Sequence, residues 1–109
     1  MISVLFMLYI SELPSYLQTI APSLNFDIVR NEVLEALLHL ATDPIPNIRF
    51  NVAKSLEVLA TTYGTTAEGK ELAQQRIAPV LEGLKNDQDA DVRYFATHAS
   101  LKTLAAISA

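Results

Sequence analysis

The sequence contains no cysteine and no tryptophan, and it has only three glycines. Without cysteine, neither a disulfide framework nor a thiolate metal site can form. The scarcity of glycine, together with the lack of a hairpin signal such as Asn-Gly, argues against an architecture built from β-hairpins. Half of the residues are nevertheless apolar, so the chain can bury a core. These properties favour a single helical domain.

Positive charge is also in short supply. Eight Lys and Arg residues stand against twelve Asp and Glu residues, which gives a net charge of −4 and a pI near 5.0. The basic residues are scattered, whereas a general nucleic-acid-binding protein carries a basic patch. We therefore expect no nucleic-acid partner.

The longest apolar run covers the first ten residues. It is too short to span a bilayer as a helix, which takes about 20 residues. It also lacks the basic start of a signal peptide, because the first basic residue is Arg30. We interpret the run as a buried helix, expect no membrane association, and take its abrupt start to suggest a piece of a longer protein. With nothing packed before it, Leu5, Phe6 and Leu8 would stay partly uncovered, which predicts self-association through this end.

Two stretches of the chain repeat one pattern 44 positions apart. In residues 43–56 and again in residues 87–100, an aspartate opens a turn, an arginine follows six residues later, and an aromatic residue begins a helix of small residues. Helix pairs with a period in the low forties are typical of α-solenoids of the HEAT and armadillo type. The sequence therefore predicts an all-α solenoid, which is a binding surface and rarely an enzyme.

Apolar spacing predicts five helices, at about 2–17, 27–41, 47–64, 70–85 and 91–108. Pro14 is expected to kink or end the first helix, and Pro79 to bend or divide the fourth. Residues 19–25 and 65–69 are predicted loops. Asn47 and Asp91 are the predicted N-caps, and Gly64 is the predicted C-cap of the third helix.

This pattern predicts one domain over residues 1–109, with about two and a half repeats. Residues 1–18 would be the second helix of an incomplete repeat, and residues 24–64 a complete one. Residues 68–109 would be a C-terminal capping repeat, because a thin apolar face on the last helix is typical of a cap.

Three segments resemble one family in its own order. Residues 43–56 resemble the penultimate HEAT repeat of the scaffold (A) subunit of protein phosphatase 2A. Residues 77–84, followed by 87–96, resemble its last repeat. Leu5-Phe6 and residues 11–13 resemble the second helix of the repeat before those. The resemblance covers most of the chain.

The resemblance implies a scaffold without catalytic groups or cofactors. Its partners would be the catalytic subunit of protein phosphatase 2A, joined in the full-length family by a regulatory B subunit. It implies a cytoplasmic location, with the nucleus as a second compartment. A HEAT or armadillo module from an adaptor or a transport receptor is the alternative.

The same resemblance implies that the turns inside the last repeats hold the catalytic subunit. The contact residues would be Ile45, Pro46 and Asn47 in the first turn, and Asp89, Ala90 and Asp91 in the second. Ile45 is the most suggestive, because an apolar residue between two prolines is a rigid anchor that loses little entropy on binding. Ile45 packed into the helix-pair core is the alternative, and the acidic residues of the second turn would then be a solvated helix start.

Four further residues fit a structural role. Asp43 and Asp87 open the turns, and Arg49 and Arg93 follow them. In HEAT families such side chains form a ladder between repeats, and arginine has enough donors for a carboxylate and a carbonyl together.

Residues 64–70 match the first seven positions of a phosphate-binding loop. Glu71 stands where that loop needs Ser or Thr, and the preceding residues have a helical period. We interpret the match as accidental and expect no nucleotide, no metal and no enzymatic activity.

Overall fold

The computed structural model describes residues 4–109, and the side chains of residues 11–109. Its five helices are α1 (Val4–Ile20), α2 (residues 26–40), α3 (Pro46–Tyr63), α4 (residues 67–84) and α5 (Ala90–Ser108). A short 3-10 turn, Ala21–Ser23, follows α1. The prediction of an all-α fold is confirmed, and this part of the chain contains no β-strand.

The helices form two hairpins stacked beside one leading helix. The first hairpin joins α2 to α3 and the second joins α4 to α5. Helix α3 is central, since it packs most extensively against α5 on one side and α1 on the other. Its small residues Ala53, Ser55 and Ala60 are therefore buried along with its large ones. The core that results contains the buried side chains of Val29, Leu34, Ile48, Val52, Leu56, Ile77, Leu81 and Val92.

Helices α2 and α4 each contain one wide π turn, at Val29–Val33 and at Ala73–Ile77. The turns lie at the same position of their repeats, 44 residues apart. Helix α4 continues through Pro79 to Leu84, so Pro79 does not divide it. The proline is not required for the turn, because Glu35 occupies the equivalent position after the first one.

The helix starts differ from the predicted ones because capping begins earlier. Helix α3 starts at Pro46, since proline at the first position loses no hydrogen bond. Helix α5 is capped by Asp89 rather than Asp91. Helix α4 starts at Ala67, inside the predicted loop, because the Thr66 hydroxyl accepts the Gly69 N–H at 3.0 Å.

The first helix and the end of α3 also differ from prediction. Helix α1 ends six residues beyond the buried Pro14 and occupies part of the predicted loop 19–25. Gly64 follows α3, but its φ of −72° is open to any residue. Glycine is needed there for another reason, since a Cβ would collide with the Ala60 carbonyl and lie 3.1 Å from the Ala106 Cβ.

Two expectations concern the first helix as a surface. The side chains of Leu5, Phe6 and Leu8 lie outside the described residues, so self-association through them stays a prediction. Among the described helices, none is long and apolar enough to cross a membrane.

Candidate protein-binding turns

The two hairpin turns are built in the same way. In the first, the Asp43 carboxylate accepts the Ile45 N–H at 2.9 Å, and Arg49 Nη1 donates to the Asp43 carbonyl at 2.9 Å. In the second, Asp87 accepts the Asp89 N–H at 2.9 Å, and Arg93 Nη1 donates to the Asp87 carbonyl at 2.8 Å. Each aspartate therefore folds its turn, and each arginine ties its helix to that turn.

A two-pronged ion pair joins the first turn to the second. Arg49 donates from Nε to Asp87 Oδ2 at 2.8 Å and from Nη2 to Asp87 Oδ1 at 2.9 Å. Both side chains are largely buried, 14% and 12% exposed. The hydrogen bonds to Arg49 hold the pKa of the Asp87 carboxyl below its ordinary value, and the same pairing raises the pKa of Arg49. This pair fixes the spacing of the two turns.

Arg93 has the same place in the second hairpin but a different environment. Its Nη1 also donates to the Gln88 carbonyl at 2.9 Å, and the residue is exposed. In the described part of the chain no carboxylate forms an ion pair with it. Of the four predicted ladder residues, Arg49 and Asp87 pair between hairpins, whereas Asp43 and Arg93 bond within their own hairpins.

The first predicted contact turn is half-buried. Ile45, Pro46 and Asn47 are all partly covered, and Ile45 packs against the hydrophobic core. The packing interpretation of Ile45 therefore describes much of its side chain. Asn47 contributes its carbonyl to a bond from Asn51 Nδ2 at 2.8 Å.

The second predicted contact turn is more open. Ala90 and Asp91 are exposed. Asp89 is half-buried and caps α5, since its Oδ1 accepts the Asp91 N–H at 2.9 Å and the Val92 N–H at 3.1 Å. Asp89 thus has a structural task that the sequence pattern had assigned to Asp91.

Contacts between side chains of different hairpins lie beside these turns. The rings of Phe50 and Phe95 stack with centroids 5.2 Å apart, and the Lys54 ammonium lies 5.1 Å from the Phe95 centroid. On α3, the buried Ser55 hydroxyl donates to the Asn51 carbonyl at 2.8 Å. The pattern predicted the helix and its aromatic residues, but it carried no signal for the ring partners.

The segment that resembles a phosphate loop has a structural role. It joins α3 to α4, Gly69 is buried within the first turn of α4, and the Lys70 ammonium donates to the Ala109 carbonyl. Within the described residues, no group of three or more His, Asp and Glu side chains is placed to hold a metal ion.

Comparison with known proteins identifies the family. Residues 33–63 match the HEAT repeat model. The chain is 42% identical over 83 residues to the regulatory A subunit of protein phosphatase PP2A from Saccharomyces cerevisiae, which covers 75% of the chain and 13% of that relative. The chain belongs to the family of HEAT-repeat A subunits of protein phosphatase 2A.

Further A subunits match shorter parts of the chain. The PP2A regulatory protein of this type from Schizosaccharomyces pombe is 58% identical over 40 residues, 37% of the chain and 7% of the relative. The beta isoform of the 65 kDa regulatory A subunit from Homo sapiens is 44% identical over 55 residues, 50% of the chain and 8% of the relative. No solved structure matches the chain. The relatives are named as regulatory subunits, which confirms the prediction that the chain is not an enzyme.

Proposed function

We propose that this chain is a scaffold segment whose two hairpin turns hold the catalytic subunit of protein phosphatase 2A. Its relatives are named as regulatory A subunits of that phosphatase, although the chain spans only 13% of the Saccharomyces cerevisiae relative. The mechanism is positional: the chain fixes where the enzyme sits, and the partner supplies the catalytic groups.

The pairing of Arg49 with Asp87 is the observation that carries this proposal. It locks the turn at 43–47 beside the turn at 87–91 through two hydrogen bonds of 2.8 and 2.9 Å. A partner that contacts both turns then meets a surface that is already ordered, so little conformational entropy is lost on binding. The exposed residues Ala90 and Asp91 and the partly exposed Asn47 would form the contact edge.

The wider assignment follows from the family. In the full-length scaffold the segment would work together with a regulatory B subunit, in the cytoplasm and also in the nucleus. Those steps rest on the resemblance of residues 43–56 and 77–96 to the last repeats of the scaffold protein.

The affinity of this chain for purified phosphatase 2A catalytic subunit tests the proposal. Asn47→Arg and Ala90→Arg place a bulky charge on the two turns, and we expect each to weaken binding about tenfold or more. Thr61→Arg is the matched control, because Thr61 is exposed on the same helix about 21 Å from Asn47 at 1.5 Å per residue. It should leave the affinity unchanged.

The choice of Asn47 avoids a confusion between contact and folding. Ile45→Asp would place a charge against the core, so lost binding in that variant would not identify a contact. Equal weakening by Thr61→Arg and Asn47→Arg would overturn the assignment to the turns. No binding by a chain with a helical circular-dichroism spectrum would overturn the proposed partner.

A specific observation supports an adaptor as the second candidate. A groove of about 310 Å³ crosses the face shared by α1, α3 and α5, and its lining includes Lys54, Glu57, Phe95 and His98. An extended peptide in this groove would meet both charges and an aromatic face. Catalytic-subunit binding that is lost in Phe95→Ala but kept in Asn47→Arg would favour this candidate.

A further inference from the structure

The outer face of α5 repeats a face that is covered elsewhere in the molecule. A shift of 44 positions relates Arg93 to Arg49, Tyr94 to Phe50 and Leu104 to Ala60. On the first hairpin this face lies under α5, and Ala60 is 1% exposed. On the second hairpin it is open, with Tyr94 67%, Leu101 64% and Leu104 49% exposed. A capping repeat has a polar outer face, whereas three large apolar side chains lie exposed here.

The open face forms a groove with a positive charge in it. The groove has a volume of about 520 Å³, and its lining includes Lys85, Arg93, Tyr94 and Leu101. No Asp or Glu is among the lining residues, although the chain carries a net charge of −4. Lys85 pairs with Glu82 at 3.2 Å. Arg93 is therefore the cation that a ligand would meet.

The guanidinium of Arg93 is held in place by its own turn. Nη1 donates to the Asp87 and Gln88 carbonyls at 2.8 and 2.9 Å. Nε and Nη2 are the atoms that Arg49 uses to bind the carboxylate of Asp87. Within the described residues no carboxylate forms an ion pair with Arg93. An anchored guanidinium with two parallel donors is suited to two-pronged carboxylate recognition.

We propose that the outer face of α5 binds an acidic helix of a partner protein. An aspartate just before that helix pairs with Arg93, and small residues of the helix pack on Tyr94 and Leu101. The first hairpin shows the same arrangement, with Asp87 before α5 and the small residues Ala96 and Ala99 buried on α5. A second copy meeting the chain through the same face is disfavoured, because Arg93 would meet cations and no carboxylate.

A synthetic peptide of residues 86–108 is the probe for this site, because it contains the aspartate and the helix that cover the equivalent face of the first hairpin. It would be titrated into the isotope-labelled 109-residue chain and followed by NMR. We expect shift changes grouped at Arg93, Tyr94, Leu101 and Leu104. Arg93→Gln in the chain, or Asp87→Asn in the peptide, should weaken binding about tenfold.

Lys102→Gln is the matched control, since it removes one positive charge from α5 outside the groove. Equal weakening by Lys102→Gln and Arg93→Gln would overturn the proposal by showing unspecific charge attraction. Shift changes centred on another face, or no binding at about 1 mM peptide, would also overturn it. Concentration-dependent dimers of the chain alone that Tyr94→Ser abolishes would assign the face to a second copy and contradict an acidic partner.

Discussion

Arg49 and Arg93 show how a neighbour decides what one residue does. Both donate Nη1 to the carbonyl of the aspartate that opens their own turn. Only Arg49 also meets a carboxylate of the next hairpin, which covers it. A largely buried, two-pronged pair contributes more to stability than an exposed arginine, because solvent screens the exposed charge.

Replacing each arginine by glutamine measures that difference. We expect Arg49→Gln to lower the free energy of unfolding by about 2 kcal/mol, because the Asp87 carboxylate loses both charged donors. Arg93→Gln should cost less than about 1 kcal/mol. Urea denaturation of the two variants checks this, and equal losses would contradict a special role for the pair between hairpins.

The same pair predicts an acid-sensitive component of stability. The hydrogen bonds from Arg49 hold the pKa of folded Asp87 below its ordinary 3.8. The unfolded chain therefore takes up this proton first, so the stabilisation is full above about pH 5 and is lost as the pH falls through the folded pKa. Asp87→Asn should be less stable at pH 7, and its stability should fall less steeply below about pH 4. Parallel curves for the variant and the original chain would contradict this.

At the scale of elements, the wide turns change which residues face the core. An apolar spacing of 3 and 4 along α2 predicted Val29, Val33, Leu37 and Leu40 as its inner face. In the structure the π turn at Val29–Val33 adds a residue, so Leu34 is fully buried and Val33 is only partly covered. The expected inner residues on either side of the turn, Val29 and Leu37, are buried.

Alanine substitutions on either side of this shift test the wide turn. Leu34→Ala should lower the free energy of unfolding by about 2–5 kcal/mol, because it leaves a cavity in the core. Val33→Ala should cost about 1 kcal/mol or less. The reverse order in thermal or urea unfolding would show that α2 keeps a regular helical register.

The glycines of the second hairpin differ in the space around them. A Cβ on Gly83 would meet no heavy atom within 4 Å, whereas a Cβ on Gly69 would collide with the Tyr63 carbonyl. We therefore expect Gly83→Ala to raise the free energy of unfolding by up to about 1 kcal/mol through helix propensity. Gly69→Ala should lower it, and stabilisation by both in calorimetry would contradict the close packing at Gly69.

The sequence predicted the five helices because each carries a long apolar stripe. It missed the starts of α4 and α5, since Thr66, Asp89 and Asp91 are all residue types that can cap a helix. It could not predict the π turns, because Val29–Val33 and Ala73–Ile77 share no residue that marks a wide turn. Among the candidate site residues, the pattern placed Asp87 and Arg49 in the two repeated turns, but the pairing between hairpins depends on how α5 lies on α3.

At the scale of the whole molecule, α3 is the element on which the other helices depend. It contacts α1 and α5 on opposite sides and pairs with α2. This arrangement places both turns side by side at one end of the stacked hairpins, where the Arg49–Asp87 pair joins them. A rigid edge of this kind suits a protein that positions another protein.

Hydrogen exchange of the chain with and without purified phosphatase 2A catalytic subunit tests the proposed role of the two turns most directly. We predict slower exchange in the complex at residues 43–49 and 87–93, and unchanged exchange at residues 61–69 at the other end of α3. Protection confined to residues 61–69, or no change at either turn when the chain is saturated, would contradict a scaffold that holds its partner through these turns.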